Sequence, residues 1–131
     1  RYKETEAQMT ERMCTAIEQP KSRILGHPTG RLLGRREGYA VDMNVVIDAA
    51  VKHNVAIEIN AGPERMDLCD EWVRIGAGKG AKFSINSDAH AISHFDWLPY
   101  GLAMARRAGL TKEQVVNCWE PGKLVAWLLR I

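Results

Sequence analysis

The stretch DMNVVIDAAVKHNVAIEINAGP, residues 42–63, decides the fold class. Asp42 is a good helix N-cap, because its carboxylate can accept a free backbone N–H of the first turn. Val45, Val46, Ala49, Ala50 and Val51 then recur at helical spacing. His53-Asn54 is a good ending, since Asn tolerates the left-handed conformation that closes many helices. Val55 to Ile59 is apolar and β-branched, interrupted by Glu58, and predicts a strand. Ala61-Gly62-Pro63 breaks it. A helix running straight into a buried strand is the repeating unit of a parallel α/β architecture.

The same unit recurs on both sides. Upstream, Met9, Met13, Ala16 and Ile17 predict an amphipathic helix from about Thr5 to Glu18. Arg23 to Gly26 then reads as a short strand entering a loop at Gly-His-Pro. Thr29 to Gly38 is rich in Gly and Arg without a period, and reads as loop. Downstream, Asp67 to Gly76 predicts a helix with Leu68, Trp72, Val73 and Ile75 on its apolar side. Lys82 to Asn86 predicts a third strand, followed by Ser-Asp-Ala-His. His94 to Ala108 is helical in its second half, from about Leu98. Thr111 with Gln114 three residues on is a capping-box pattern for a helix to about Cys118. Pro121 opens a last helix with apolar Leu124, Val125, Trp127, Leu128 and Leu129. Strands alternating with helices imply a parallel sheet with right-handed crossovers. Three such units are about half of a closed barrel. A half-barrel leaves an open strand edge and a bare sheet face, so part of the domain is expected to lie outside these residues. Arg1, almost at once followed by a helix pattern, is expected to mark a cut inside a longer polypeptide.

Composition bounds the rest. The 131 residues are 46% apolar and 26% charged, close to a globular average. A chain of this length can bury roughly two thirds of its unfolded surface. The formal charge of +2 does not by itself mark a nucleic-acid binder. The three cysteines, Cys14, Cys69 and Cys118, form no Cys-x-x-Cys pair, which argues against a zinc knuckle. Reduced thiols and a cytoplasmic location are expected. No apolar run approaches a membrane span, and no signal peptide is visible.

Parallel α/β sheets carry their sites at the carboxyl ends of the strands. Three such ends are available here: Gly-His27-Pro, Glu58-Ile-Asn60 and Ser-Asp88-Ala-His90. Each places a liganding group where an apolar strand finishes. Asp88 and His90 are two apart and point the same way if extended, so one metal could take both. Oxygen with nitrogen suits Zn, Mn or Fe rather than Ca. The alternative is a turn that caps the next helix. His27 is a third ligand candidate, or an ordinary hydrogen-bonded histidine, between a flexible Gly26 and a stiff Pro28. Glu58 and Asn60 should project to one side. Glu58 then either orients a metal ligand or forms a structural ion pair. Arg31, Arg35 and Arg36 follow His27. Their guanidinium forks suit phosphate oxygens, unless the loop is simply solvated. His53 and His94 read as surface or helix-end residues, and the four tryptophans as packing rather than a base-stacking platform.

The segments Ile24-Leu-Gly-His-Pro-Thr-Gly-Arg-Leu-Leu33, Glu58-Ile-Asn-Ala61 and Ile85-Asn-Ser-Asp-Ala-His90 resemble the PHP (polymerase and histidinol phosphatase) domain. The resemblance runs through nearly the whole chain and is nearest to the C-terminal PHP domain of bacterial and archaeal family X DNA polymerases. It implies that residues 1–131 are the C-terminal portion of a distorted seven-stranded TIM-like (β/α) barrel. It implies divalent metals, up to three in the complete domain, with His27, Asp88 and His90 as ligands and catalytic residues. Arg31 and Arg35 then become candidates for phosphate binding, and Glu58 and Asn60 supporting residues beside the ligands. The family's opening His-x-His motif and other earlier ligands are absent from these residues. Arg1 would begin just after another ligand histidine. The implied activity is phosphoester hydrolysis, as a 3′–5′ exonuclease or end-processing activity on DNA beside an N-terminal polymerase domain. A histidinol-phosphatase-like monoesterase and a non-catalytic structural fragment are the alternatives. Such a fragment is expected to be inactive alone and to self-associate through its open edge.

Overall fold

The computed structural model describes residues 3–131. Arg1, and with it the expectation of a cut there, lies outside the described residues. Helix α1 (Glu6–Glu18) is opened by Thr5, whose hydroxyl accepts the Gln8 N–H while the Gln8 side chain accepts the Thr5 N–H. Met9, Met13 and Ile17 are its buried stripe. Ala16, expected with them, is exposed. Helix α2 (Met43–Lys52) starts at Asp42, which accepts from the Val45 N–H at 3.3 Å. It closes with Asn54 at φ 56°, the left-handed ending its sequence predicts.

The sheet is β1 (Ile24–Leu25), β2 (Ala56–Asn60) and β3 (Phe83–Asn86), in that order and all parallel. Strand β1 is half the predicted length. Beyond Leu25 the chain turns at once to bring His27 over the sheet. In β2 the side chains alternate between two environments. Ile57 and Ile59 are fully buried in the main core with Ile47, Val46, Met43 and Phe83. Each such side chain contributes about 1.5–3 kcal/mol. Ala56 joins a smaller cluster with Val116 and Trp127. Glu58 and Asn60 share Ala56's side, and the β2–β3 register sets them beside Ser84 and Asn86. This sheet therefore has one apolar and one polar face, and the polar face is buried too: Glu58 7% exposed, Asn60 0%, Ser84 2%.

Helix α3 runs Asp70–Gly78, not from Asp67. Asp67 makes an antiparallel bridge to Asn60, and Leu68 lies in a bend after it. The Asp67 carboxylate serves another loop, as described below, so the segment cannot wind into the helix. A 3₁₀ segment (Ile92–Trp97) leads into α4 (Leu98–Arg107), which lies close against β3 at Gly101. The helix predicted from Thr111 to Cys118 is two 3₁₀ turns instead, Lys112–Gln114 and Val116–Cys118. Val115 between them bridges Phe83, and the Asn117 amide accepts from the Ile85 N–H at 2.8 Å and donates to the Ile85 carbonyl at 2.9 Å. This segment satisfies the outer edge of β3, which a helix could not do. Helix α5 (Pro121–Leu129) buries only Trp127, while Val125, Leu128 and Leu129 are exposed. The three cysteines are free thiols. Among the described residues no helix is long and apolar enough to cross a membrane.

Candidate functional site

His27 and Asp88 each follow a strand, β1 and β3, in left-handed backbone conformations, φ 47° and 53°. Such a conformation costs a non-glycine residue about 1–2 kcal/mol, and strain of this kind clusters at functional positions. The two turns aim the side chains at each other, with His27 Nε2 3.5 Å from Asp88 Oδ2. A Cβ on Gly26 would meet only Glu58 Oε2, at an ordinary 3.6 Å. The glycine is therefore not required for close approach.

Strand β2 lies between them and supports both. The Asn60 amide nitrogen is 3.4 Å from His27 Nδ1 and 3.4 Å from Asp88 Oδ2, while its oxygen accepts the Gly62 N–H at 3.0 Å. Glu58 Oε2 accepts the backbone N–H of His27 at 2.8 Å and lies 3.7 Å from His27 Nδ1. Its other oxygen accepts from Asn86, which in turn accepts from Ser84 Oγ at 2.9 Å. Glu58 thus has no lysine or arginine partner among the described residues; hydrogen bonds hold it.

His90 stands apart. Its Nδ1 is 2.6 Å from the Asp88 carbonyl, which leaves Nε2 outward, and its backbone N–H donates to His94 Nδ1 at 3.0 Å. A histidine whose Nδ1 donates to a carbonyl is fixed in the tautomer that ligates through Nε2. His94 stacks on Trp97 with ring centroids 3.8 Å apart. Asp88, His90, His94, Trp97 and Arg65 line a hollow of about 190 Å³. The donor chemistry of His27 and Asp88 suits a borderline divalent cation. Among the described residues no three His, Cys, Asp or Glu side chains converge to hold one, so these residues offer part of a ligand set.

The arginines after His27 are placed differently from one another. Arg31 donates through Nε to the Arg65 carbonyl at 2.9 Å and through Nη2 to the Met66 carbonyl. It borders another hollow, with Thr29, Tyr39 and Trp72, away from Asp88. Arg35 is exposed and 3.5 Å from Glu64. Arg36 donates to the Gly30 carbonyl. The arginine that lines the hollow beside Asp88 is Arg65, whose guanidinium has no acceptor among the described residues. Sequence reading passes over Arg65 and takes His94 for a surface or helix-end residue and Trp97 for packing; the structure lines the hollow with all three. Their signal was proximity in sequence to strand ends, Arg65 after β2 and the other two after β3.

Asp67 was also missed as a site-supporting group. It is fully buried and accepts from the Thr29 N–H, the Thr29 hydroxyl and the Gly30 N–H at 2.9–3.2 Å. Burial pushes its carboxyl above the ordinary range, against the opposing pull of those bonds and of Arg31. It clamps the loop that carries His27.

In comparison with known proteins, the chain is 36% identical over 129 residues to a DNA polymerase/3′-5′ exonuclease, PolX, of Bacillus subtilis, covering 98% of this chain and 23% of that protein. It is 32% identical over 120 residues to a probable phosphatase of Vibrio parahaemolyticus, covering 86% of this chain and 46% of that one. A probable phosphatase of a Thermoanaerobacter species is 28% identical over 127 residues, with 91% and 48% covered. The chain therefore spans less than half the length of each. No family model matches it.

Proposed function

We propose that this chain is the C-terminal part of a PHP-type, metal-dependent phosphoesterase, and that its sheet is an arc of a TIM-like barrel. The observation that carries the proposal is the approach of His27 Nε2 to Asp88 Oδ2, 3.5 Å apart across the carboxyl ends of a parallel sheet. The similarity to PolX over 98% of the chain supports a 3′–5′ exonuclease or end-processing role on DNA in a polymerase-bearing parent. The similarity to probable phosphatases supports the second reading, a phosphomonoesterase of the histidinol-phosphatase kind.

His27, Asp88 and His90 would hold divalent metal (Mn, Zn or Fe) with further ligands supplied from outside these residues. Bound metal acidifies a coordinated water and neutralises charge on phosphate oxygens. This chain's own contribution is positional. Asn60 and Glu58 fix the His27 ring and the Asp88 carboxylate before any ligand arrives, which spares that ordering at the moment of binding. Arg65 offers a guanidinium to a phosphate oxygen. The Trp97 and His94 rings form an apolar wall on which the organic part of the substrate can rest. With an incomplete ligand set, the isolated chain is expected to be inactive, and the non-catalytic reading applies to it alone.

The test is Mn-dependent hydrolysis by the parent protein, wild type and Asp88→Ala, on single-stranded DNA, p-nitrophenyl phosphate and histidinol phosphate. Loss in the variant is expected. Equal activity in both proteins removes Asp88 from the mechanism. Preference for DNA or for the small monoesters decides between the two substrate readings.

A further inference from the structure

A cationic hollow of about 400 Å³ lies at the opposite end of the sheet, where the strands begin. Asn54 and Lys82 line it from the residues that lead into β2 and β3. Trp119, Lys123, Trp127 and Arg130 line it from the C-terminal segment. Arg23, immediately before β1, stands close enough to depress the basicity of Arg130, second only to the effect of Arg130's own burial.

Neutral groups hold these cations in place. Arg130 donates to the Asn54 carbonyl at 2.9 Å and to the Ser22 carbonyl at 3.0 Å. Arg23 donates to the carbonyls of Leu128, Pro20 and Ser22. Lys123 Nζ sits 4.2 Å from the centroid of the Trp119 ring. Both tryptophan N–H groups are already committed, Trp119 to the Glu113 carbonyl and Trp127 to that of Asn54. Carbonyls and a ring face orient positive charge without cancelling it. Among the described residues no carboxylate lies within 4 Å of Arg23, Lys82, Lys123 or Arg130. Glu113 is fully exposed. Its carboxyl is held down chiefly by its own backbone N–H and by Thr111, with Lys123 the least cause. Burial above all, and then the neighbouring Lys123 and Arg130, lower the Lys82 ammonium from its ordinary value.

We propose that this hollow is an anion site that takes a phosphate group, separate from the His27–Asp88 site. Arg130, pinned by carbonyls, and Lys82 and Lys123 with free N–H donors match a group with several acceptor oxygens and more than one negative charge, and Arg23 adds positive charge behind Arg130. A strand of nucleic acid and a free phosphate ester carry the same group. The proposal does not depend on the reading of the His27–Asp88 site.

The test is a titration of the isotope-labelled chain with inorganic phosphate at constant ionic strength, followed by NMR. Saturable shifts are expected in the indole N–H signals of Trp119 and Trp127, with Trp72 unmoved. Lys82→Gln and Lys123→Gln should each weaken binding about tenfold, as loss of one charge-assisted bond does, with the remaining amide spectrum unchanged. Short single-stranded oligonucleotides with and without a terminal phosphate separate the sources. Binding of both indicates a backbone contact, and binding of the phosphorylated one alone indicates a monoester. Absence of a saturable shift overturns the proposal. So does a shift confined to Trp97, which places the anion beside Asp88, or an affinity that neither lysine variant changes.

Discussion

Glu58 Oε2 accepts the backbone N–H of His27 at 2.8 Å, which ties the end of β2 to the turn that follows β1. The bond is the last link of a chain running from Ser84 through Asn86 to Glu58. All members except the turn itself stand on the polar face of the sheet. The position of the His27 ring is thus set by the sheet rather than by its own loop.

Glu58→Gln should show the strength of that link. Both carboxylate oxygens accept from N–H donors, and an amide can offer only one oxygen. Its nitrogen must face either the His27 N–H or the Asn86 amide. A loss of about 1–3 kcal/mol is expected for the buried donor left unpaired, read from urea unfolding. An unchanged midpoint would mean that water replaces the bond.

Asp67→Asn is expected to cost about 1–3 kcal/mol for the same reason, since three donors from Thr29 and Gly30 converge on the carboxylate. It should also alter the pH profile of stability. The folded-state value is raised by burial above the unfolded value of 3.8. Below 3.8 the stability associated with this group is fully present, and it declines as pH rises through the folded value. Unfolding midpoints measured across that window should fall more steeply in the wild type than in the variant. Parallel profiles would refute the assignment.

Arg65→Gln should leave folding untouched, because its guanidinium touches no acceptor among the described residues. In the parent protein, KM for a phosphate ester should rise about tenfold, the loss of one charge-assisted bond. The same rise in Arg31→Gln but not in Arg65→Gln would return phosphate binding to the residue that the sequence suggested.

Gly101→Ala should destabilise the chain by about 1–3 kcal/mol through overpacking. An added Cβ would meet Ile85 Cγ2 at 2.6 Å and Ala61 Cβ at 3.0 Å, where α4 crosses β3 and the end of β2. Thermal unfolding reads the effect. A neutral or stabilising result would show that α4 can shift away from the sheet.

The sequence by itself determined the alternation of helices and parallel strands, because periodicity and capping are local. Thr5 and Asp42 open their helices, and Asn54 closes one, through atoms three residues away. It also placed His27, Glu58, Asn60 and Asp88 at strand ends, since an apolar strand finishing in a polar residue is visible in one dimension. Only tertiary structure decided which of these meet. The left-handed turns at His27 and Asp88 bring two residues 61 positions apart within 3.5 Å, while His90, two residues from Asp88, turns away onto a backbone carbonyl. Likewise Thr111 to Cys118 carries a helix-opening pattern, yet the exposed edge of β3 draws Val115 into a backbone bridge and the Asn117 side chain onto Ile85. Asp67 falls within an apparent helix but leaves it to clamp Thr29. For Asp67 and for the edge of β3, a buried polar group had to find a partner distant in sequence, and that demand outweighed local preference.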